Sequence, residues 1–438
     1  MIRQTTQQMV LWLAVMLAAA RGLPAQAPPA AGTAELREIH SDGQKVLTEA
    51  QIAELTGLQT GTQVGRSDLQ SAADKLVSSG LFSTVKYDFK TRNDGVALNF
   101  HVDESPRIPV YYDNFPWLGD SELNDAVRAQ LPFFSGTLPE DGSVIDRAAA
   151  AIHALLATHN VDLPVQHQVT ANPLGDGKIQ QFFVEGAGLK IASLSFSDAA
   201  LETNPAVKQH LSEIVGKPYS RTAIDVFLSE QIRPIYLKQG YLEVKLGPPE
   251  VRLTGPPTGK LPEEIPVFVP VNAGAVYHFT AAGWSGNNVI SAISLDTFFG
   301  LKPGAVADGM QVEGGLDRIR EEYGRRGYLD AVVQPQPSFD DAAHTVSYKV
   351  SISEGAQYHM GGWVITGLST NAQQRVRQTF PLASGDVFDK GKYEDFLVQL
   401  QNHSKDILGD LPVHYESVGH WLRTDSGRAV VDVLLDFK

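Results

Sequence analysis

A chain of 438 residues, 43% hydrophobic and 20% charged, is long enough for several separate cores and too apolar for a disordered or collagenous polymer. Its 36 Lys and Arg against 50 Asp and Glu leave a net charge of −14, which repels a phosphate backbone, so nucleic acid is not an expected partner. The lack of cysteine removes disulfides, thiolate metal sites and cysteine nucleophiles together.

The N-terminus reads as an export signal. Residues 1–8 carry one cation, Arg3, and residues 9–20 form an apolar run of signal-peptide length, too short to span a bilayer. Cleavage after Ala20 or Ala27 is open, with Pro28 hindering the second choice; residues 1–27 are read as the signal peptide and 28–34 as a Pro/Ala/Gly linker. No later run of about eighteen apolar residues predicts a transmembrane span, so the mature chain is expected to be exported and soluble.

Beyond the linker one pattern returns about every eighty residues. A glycine turn opens an amphipathic helix at Gly61, Gly136, Gly216, Gly304 and Gly385, and the helix closes at Gly80, Asn160, Gly240, Gly327 and Gly409, residue types that tolerate the left-handed conformation. Between them the apolar spacing is helical: Leu69, Ala73 and Leu76; Ile145, Ala148, Ile152 and Leu155; Val312, Leu316, Ile319 and Tyr323; Tyr393, Leu397, Leu400 and Ser404. Pro234 is expected to kink or shorten the helix of the third repeat.

After each closing residue the period changes to two. Val85, Tyr87 and Phe89 alternate with polar residues, as do Leu98, Phe100 and Val102, and Asn93-Asp94-Gly95 between them is hairpin chemistry. Val346 to Ile352 and Val431 to Phe437 repeat the alternation, and 163–169 and 179–184 flank a long turn in the second repeat. An extended connection from Gly255 to Pro262 fills the same place in the third. Another helix precedes each opening glycine, as over 121–130 and 371–380, and before it lies a short strand, as over 189–196. The predicted fold is α+β: five tandem βααββ units over 35–105, 106–186, 187–274, 275–355 and 356–438, each a three-stranded mixed sheet with two helices on one face.

No catalytic constellation emerges. His153 and His159 do not share a helix face, no His-Glu-x-x-His occurs, and Ser83 with Lys86 has Ser-x-x-Lys spacing on a predicted strand whose alternation already explains both. The pairs Glu263-Glu264, Glu321-Glu322 and Asp340-Asp341 diverge as sequence neighbours. No enzyme activity, metal or cofactor is expected. Trp117, Trp284, Trp363 and Trp421 lie near unit junctions and read as hinge or core packing before recognition anchors.

The strings Gly80-Leu81-Phe82, Gly240-Tyr241-Leu242 and Gly327-Tyr328-Leu329, with Glu354-Gly355-Ala356-Gln357-Tyr358 and Gly362-Trp363-Val364-Ile365-Thr366-Gly367, resemble the polypeptide-transport-associated (POTRA) domain. Five such units behind a signal peptide resemble the periplasmic part of the BamA family of outer-membrane assembly factors, without its transmembrane barrel, for which no residues remain after Lys438. The resemblance implies a periplasmic location, associated with the outer membrane through partners. It also implies binding of unfolded outer-membrane proteins and of a barrel protein or assembly complex. An exported envelope scaffold reusing the repeat is the alternative.

A sheet edge offers unpaired N–H and C=O groups to an extended client, so β-augmentation is the expected means. In the implied topology the strand after the second helix lies at that edge. The candidate contacts are Ser83, Thr84, Val85, Lys86 and Tyr87; Tyr241, Leu242, Glu243, Val244 and Lys245; and Tyr328, Leu329, Asp330, Ala331, Val332 and Val333.

Overall fold

The computed structural model describes residues 33–92, 95–253, 258–402, 407–408 and 415–438. The export signal, all of the linker but its last two residues, Asn93-Asp94, Gly255 to Pro257, Ser404 and Gly409 lie outside the described residues. The chain divides into two compact units, one reaching Ile108 and including Leu131–Arg147, the other comprising Pro109–Gln130 and Ala148–Lys438.

In the first unit the elements run β1 (Ala34–Asp42), α1 (Glu49–Thr56), β2 (Gln63–Val64), α2 (Arg66–Ser78), β3 (Phe82–Arg92) and β4 (Gly95–Glu104). The sheet order is β2-β1-β4-β3, with β1 parallel and β3 antiparallel to β4. Alternation on β4 buries Val96, Leu98, Phe100 and Val102, and Leu69, Ala73 and Leu76 of α2 and Ile52 of α1 are buried too. The opposite face carries Asn99 and His101. Thr48 and Gln51 close a capping box on α1, and Gly57 ends that helix in the left-handed region.

The chain continues as β5 (Ile108–Tyr112), α3 (Asp120–Gln130), β6 (Thr137–Leu138), α4 (Ser143–Thr158), β7 (Val165–Ala171) and β8 (Lys178–Val184). β8 pairs parallel with β5 and antiparallel with β7. On α4 Ile145, Ala148 and Ile152 are buried as the periodicity predicts, but Leu156 takes the next core position and Leu155 is only half-buried.

Next come β9 (Lys190–Phe196), α5 (Ala199–Thr203), α6 (Pro205–Ile214), α7 (Arg221–Phe227), α8 (Arg233–Lys238), β10 (Lys245–Leu246), β11 (Glu250–Val251), β12 (Glu264–Val269) and β13 (Val271–Asn272). A π turn over Leu228–Ile232 separates α7 from α8, and Pro234 follows it as the second residue of α8, so the α-helical pattern is broken next to the proline. The sheet order is β11-β12-β9, with β10 paired to β13.

The last two regions are more regular. β14 (His278–Ser285), α9 (Ala292–Phe299), α10 (Gly309–Arg325), β15 (Val332–Asp340) and β16 (Thr345–Ser353) form a sheet of order β14-β16-β15. β17 (His359–Thr366), α11 (Thr370–Thr379), α12 (Lys390–Asn402), β18 (Val418–Asp425) and β19 (Val430–Phe437) form one of order β17-β19-β18. Each has its own closed core, one around Phe299, Tyr323 and Val350, the other around Phe388, Phe396 and Val433.

One device recurs. The N–H of Gly61, Gly216, Gly304 or Gly385 donates to Leu36, Ile191, Phe279 or Met360 of the first strand, whose own N–H returns a bond to the carbonyl one residue past the glycine. All four glycines have φ between 79° and 92°, and a Cβ at any of them would meet nothing within 4 Å. It is therefore the left-handed backbone, not crowding, that calls for glycine. The pin sets the segment before the second long helix along the outer edge of the first strand, seen as the β1–β2 pairing and as the bridges Lys190 to Pro218, His278 to Val306 and His359 to Val387.

Two of the expected client strands are not strands where the sequence suggests. Tyr241 to Val244 form a turn, with pairing only from Lys245, and Tyr328 to Ala331 form a turn, with β15 beginning at Val332. The reason lies in what those turns hold.

Candidate functional site

The open strand edges are the sites with unmet main-chain capacity. In their sheets β3, β7, β11, β15 and β18 each stand at an end of the strand order. β3 has eleven residues and includes Ser83, Thr84, Val85, Lys86 and Tyr87; β7 has seven and β18 eight, and none of the three contains proline. β11 has only two residues.

β15 is different, because Pro335 and Pro337 sit within it while its ladder with β16 runs unbroken from Val332 to Asp340. An unbroken antiparallel ladder requires both prolines at positions whose main chain points away from β16. The outer edge of β15 therefore lacks two consecutive outward donors, the blunting expected of an edge that is not to be paired. Val332 and Val333 are on this strand, so the edge they begin soon runs out of donors.

The turns following Gly240 and Gly327 act as seats for the next sheet. Tyr277 donates its N–H to the Gly240 carbonyl at 3.0 Å, and its hydroxyl, 2.7 Å from Glu243 and 2.8 Å from Asp341, can donate to either carboxylate. Tyr358 donates its N–H to the Gly327 carbonyl at 2.8 Å and its hydroxyl to Asp330 at 2.5 Å. Hydrogen bonding to these carboxylates raises the pKa of both tyrosines. A Cβ on Gly240 would meet Val306 at 2.7 Å, and one on Gly327 the Tyr358 carbonyl at 2.8 Å, so the close approach as well as the positive φ demands glycine. The sequence signal for the seat is Gly-Tyr-Leu followed by Glu or Asp.

A third junction is polar. Asp113 accepts from the Thr222 N–H at 2.7 Å and the Ser220 hydroxyl at 3.0 Å, Gln181 donates to Thr222 at 2.6 Å, and Arg221 pairs with Asp120 at 2.5 Å. Tyr111 donates to the buried Asp225. Burial pushes the Asp225 pKa up and outweighs the hydrogen bond from Tyr111. These bonds tie the start of α7 to β5 and β8, which sequence reading missed because the contacts are single polar side chains with no periodicity.

Two glutamates at the ends of central strands have a structural duty. Glu104 accepts the N–H groups of Lys45, Val46 and Leu47, and Glu354 accepts from Val289 and the Tyr323 hydroxyl. Burial opposes the charge of each, but these hydrogen bonds win and hold both pKa values below the ordinary one. On the solvent face of the first sheet His101 bridges Asp88 at 2.7 Å and Asp42 at 2.8 Å. Hydrogen bonding to Asp88 and then Asp42 raises its pKa.

Of the tryptophans, Trp117 is buried and donates to the Gly259 carbonyl, Trp284 packs on Phe299 and donates to Asp296, and Trp363 meets Phe380 edge-on at 4.5 Å. Trp421 departs from the expectation of packing: it is 54% exposed on β18. Ser83 and Lys86 lie along β3, with no base positioned on the serine. Among the described residues no group of three or more His, Asp or Glu side chains could hold a metal, and no helix is long and apolar enough to cross a membrane.

Residues 277–355 match the POTRA family model, described as a surface antigen variable number repeat. A curated relative from Treponema pallidum (strain Nichols), named as an outer membrane protein assembly factor, is 21% identical over 351 residues, which is 78% of this chain and 40% of the relative's length. Similar solved structures include POTRA domains 3–5 of BamA from Haemophilus influenzae, with 22% identity, 57% of this chain and 96% of that one covered, and a TM-score of 0.44. They also include POTRA domains 1–3 of Omp85 from Anabaena, with 15% identity, 74% and 96% covered, and a TM-score of 0.19. The chain thus resembles the POTRA-bearing part of outer-membrane assembly factors.

Proposed function

We propose that the chain is a non-catalytic periplasmic array of five POTRA units, over 35–105, 106–186, 187–274, 275–355 and 356–438, serving outer-membrane protein assembly. It binds extended segments of unfolded outer-membrane proteins by adding them to open sheet edges, and it docks to a barrel protein or assembly complex of the outer membrane. The observation that carries this reading is the set of open, proline-free edges β3, β7 and β18, each long enough to take a strand of ordinary length. Main-chain pairing is tolerant of sequence, as a binder of many clients requires. The name borne by the Treponema relative points the same way.

The reading revises which residues of the sequence-level candidate set meet clients. Ser83, Thr84, Val85, Lys86 and Tyr87 remain client contacts, whereas Tyr241, Leu242, Glu243 and Val244 and Tyr328, Leu329, Asp330 and Ala331 are assigned to inter-sheet seating. Lys245, Val332 and Val333 begin strands too short or too blunted to serve.

Hydrogen exchange on the full chain, with and without a urea-diluted outer-membrane porin, tests the mechanism. Slowed exchange at main-chain amides of β3, β7 or β18 is expected. Client binding that leaves all three edges unprotected would refute strand addition. A mild-detergent pull-down from the native envelope tests the partner: recovery of a barrel protein is expected, and recovery of soluble envelope proteins alone would favour a scaffold.

A further inference from the structure

The solvent face of the β17-β19-β18 sheet carries an apolar row. Trp421 lies opposite Leu434, and Leu434 lies beside Val364, so the row crosses all three strands on the side away from the core. Trp421 is 54% exposed and Val364 41%. The equivalent face of the first sheet presents Lys86, Asp88, Asn99 and His101, and that of the β14-β16-β15 sheet presents Gln334, Gln336, Ser347 and Lys349.

Two observations say what covers the row. The nearby charges are compensated within the sheet: Arg423 pairs with Asp432 at 2.6 Å and Lys438 with Asp436 at 3.2 Å, so a neutral apolar group fits between them. The row also ends at an open edge whose register is known. Ser417 and Lys438 exchange both main-chain bonds, which turns the main chain of Gly419, Trp421 and Arg423 toward β19 and that of Val418, His420, Leu422 and Thr424 outward. None of the four outward residues is proline, so each offers a donor and an acceptor. Gly419 leaves room for the Trp421 ring to lie over its backbone; a Cβ there would fall 2.6 Å from the ring.

A strand added outside β18 would put every second side chain on the solvent face, beside Trp421. We infer that β18 accepts extended segments in which apolar and polar residues alternate, an apolar or aromatic side chain packing on Trp421 and lengthening the row. Alternation of that kind is the signature of strands that will face lipid on one side. The inference rests on the edge-pairing reading above and names the segments taken at this sheet.

The test uses the full chain and two labelled ten-residue peptides of one composition, with Phe and Leu alternating with Ser, Thr and Lys in the first and grouped in blocks in the second. Anisotropy should show tighter binding of the alternating peptide and, with Trp421→Gln, about a tenfold loss of affinity. Trp421→Phe should retain most of it, and the block peptide should respond to neither substitution. Exchange at Val418, His420 and Leu422 separates the two claims. If the alternating peptide protects these amides equally with and without Trp421, the row is irrelevant and edge pairing stands. If they stay unprotected in the native chain, both claims fail for this sheet.

Discussion

Tyr358 gives both its N–H and its hydroxyl to the turn that closes the preceding repeat, bonding the Gly327 carbonyl at 2.8 Å and Asp330 at 2.5 Å. Tyr277 does the same with Gly240 and Glu243. A tyrosine one residue before the first strand of a sheet thus ties that sheet to the repeat before it.

If that tie couples neighbouring sheets, Tyr358→Phe and Asp330→Ala should be non-additive. Each should lower stability, and a double-mutant cycle in urea should return a coupling of about 1 kcal/mol. Additive effects would make the contact incidental.

Restoring outward donors to β15 should make it bind. A chain carrying Pro335→Thr and Pro337→Thr keeps every bond of the ladder and gains two free N–H groups, so it should self-associate or hold extended peptides more tightly than the native chain. Light scattering and peptide titration would read the gain; unchanged behaviour would mean that the prolines do not guard this edge.

Glu104 should matter for acid stability. Its folded-state pKa lies below the ordinary 4.5, so its contribution is complete above that value and is lost as pH falls through the folded pKa. Glu104→Ala should cost about 1–3 kcal/mol at neutral pH by orphaning three N–H groups. It should also flatten the acid limb of a stability-against-pH curve. An unaltered limb would contradict the assignment. The substitution would further strip Arg107, whose side chain is 9% exposed, of a carboxylate 3.6 Å away.

His101 has the opposite sign. Its pKa is raised by Asp88 and Asp42, so the stabilisation is full below about 6.5 and fades as pH rises through the folded value. An NMR titration of the imidazole should give a midpoint above 6.5 that Asp88→Asn lowers. A midpoint at or below 6.5 in the native chain would refute the bridge.

Periodic features were legible in the sequence and solitary ones were not. Helical stripes such as Val312, Leu316, Ile319 and Tyr323 are buried as the spacing predicts, and Gly61, Gly216, Gly304 and Gly385 all take the left-handed backbone. The candidate site came through less completely. Tyr241 and Tyr328 follow a helix as a strand residue would, and alternation cannot tell a strand start from a turn held by a distant tyrosine. Pro335 and Pro337 carry the message that β15 is closed, but only the register shows which way they face. Trp421 breaks the expectation that a large aromatic near a junction is packed, because Gly419 two residues earlier gives its ring a place on the surface.

The pin between each opening glycine and the first strand has a consequence for growth. In four of the sheets the start of that strand's outer side is already occupied, by β2 or by an isolated bridge. A guest on the other flank therefore joins a sheet whose second flank is obstructed at its start, where another copy would have to begin the ladder. The obstruction works against the open-ended stacking that aggregation-prone strands otherwise favour.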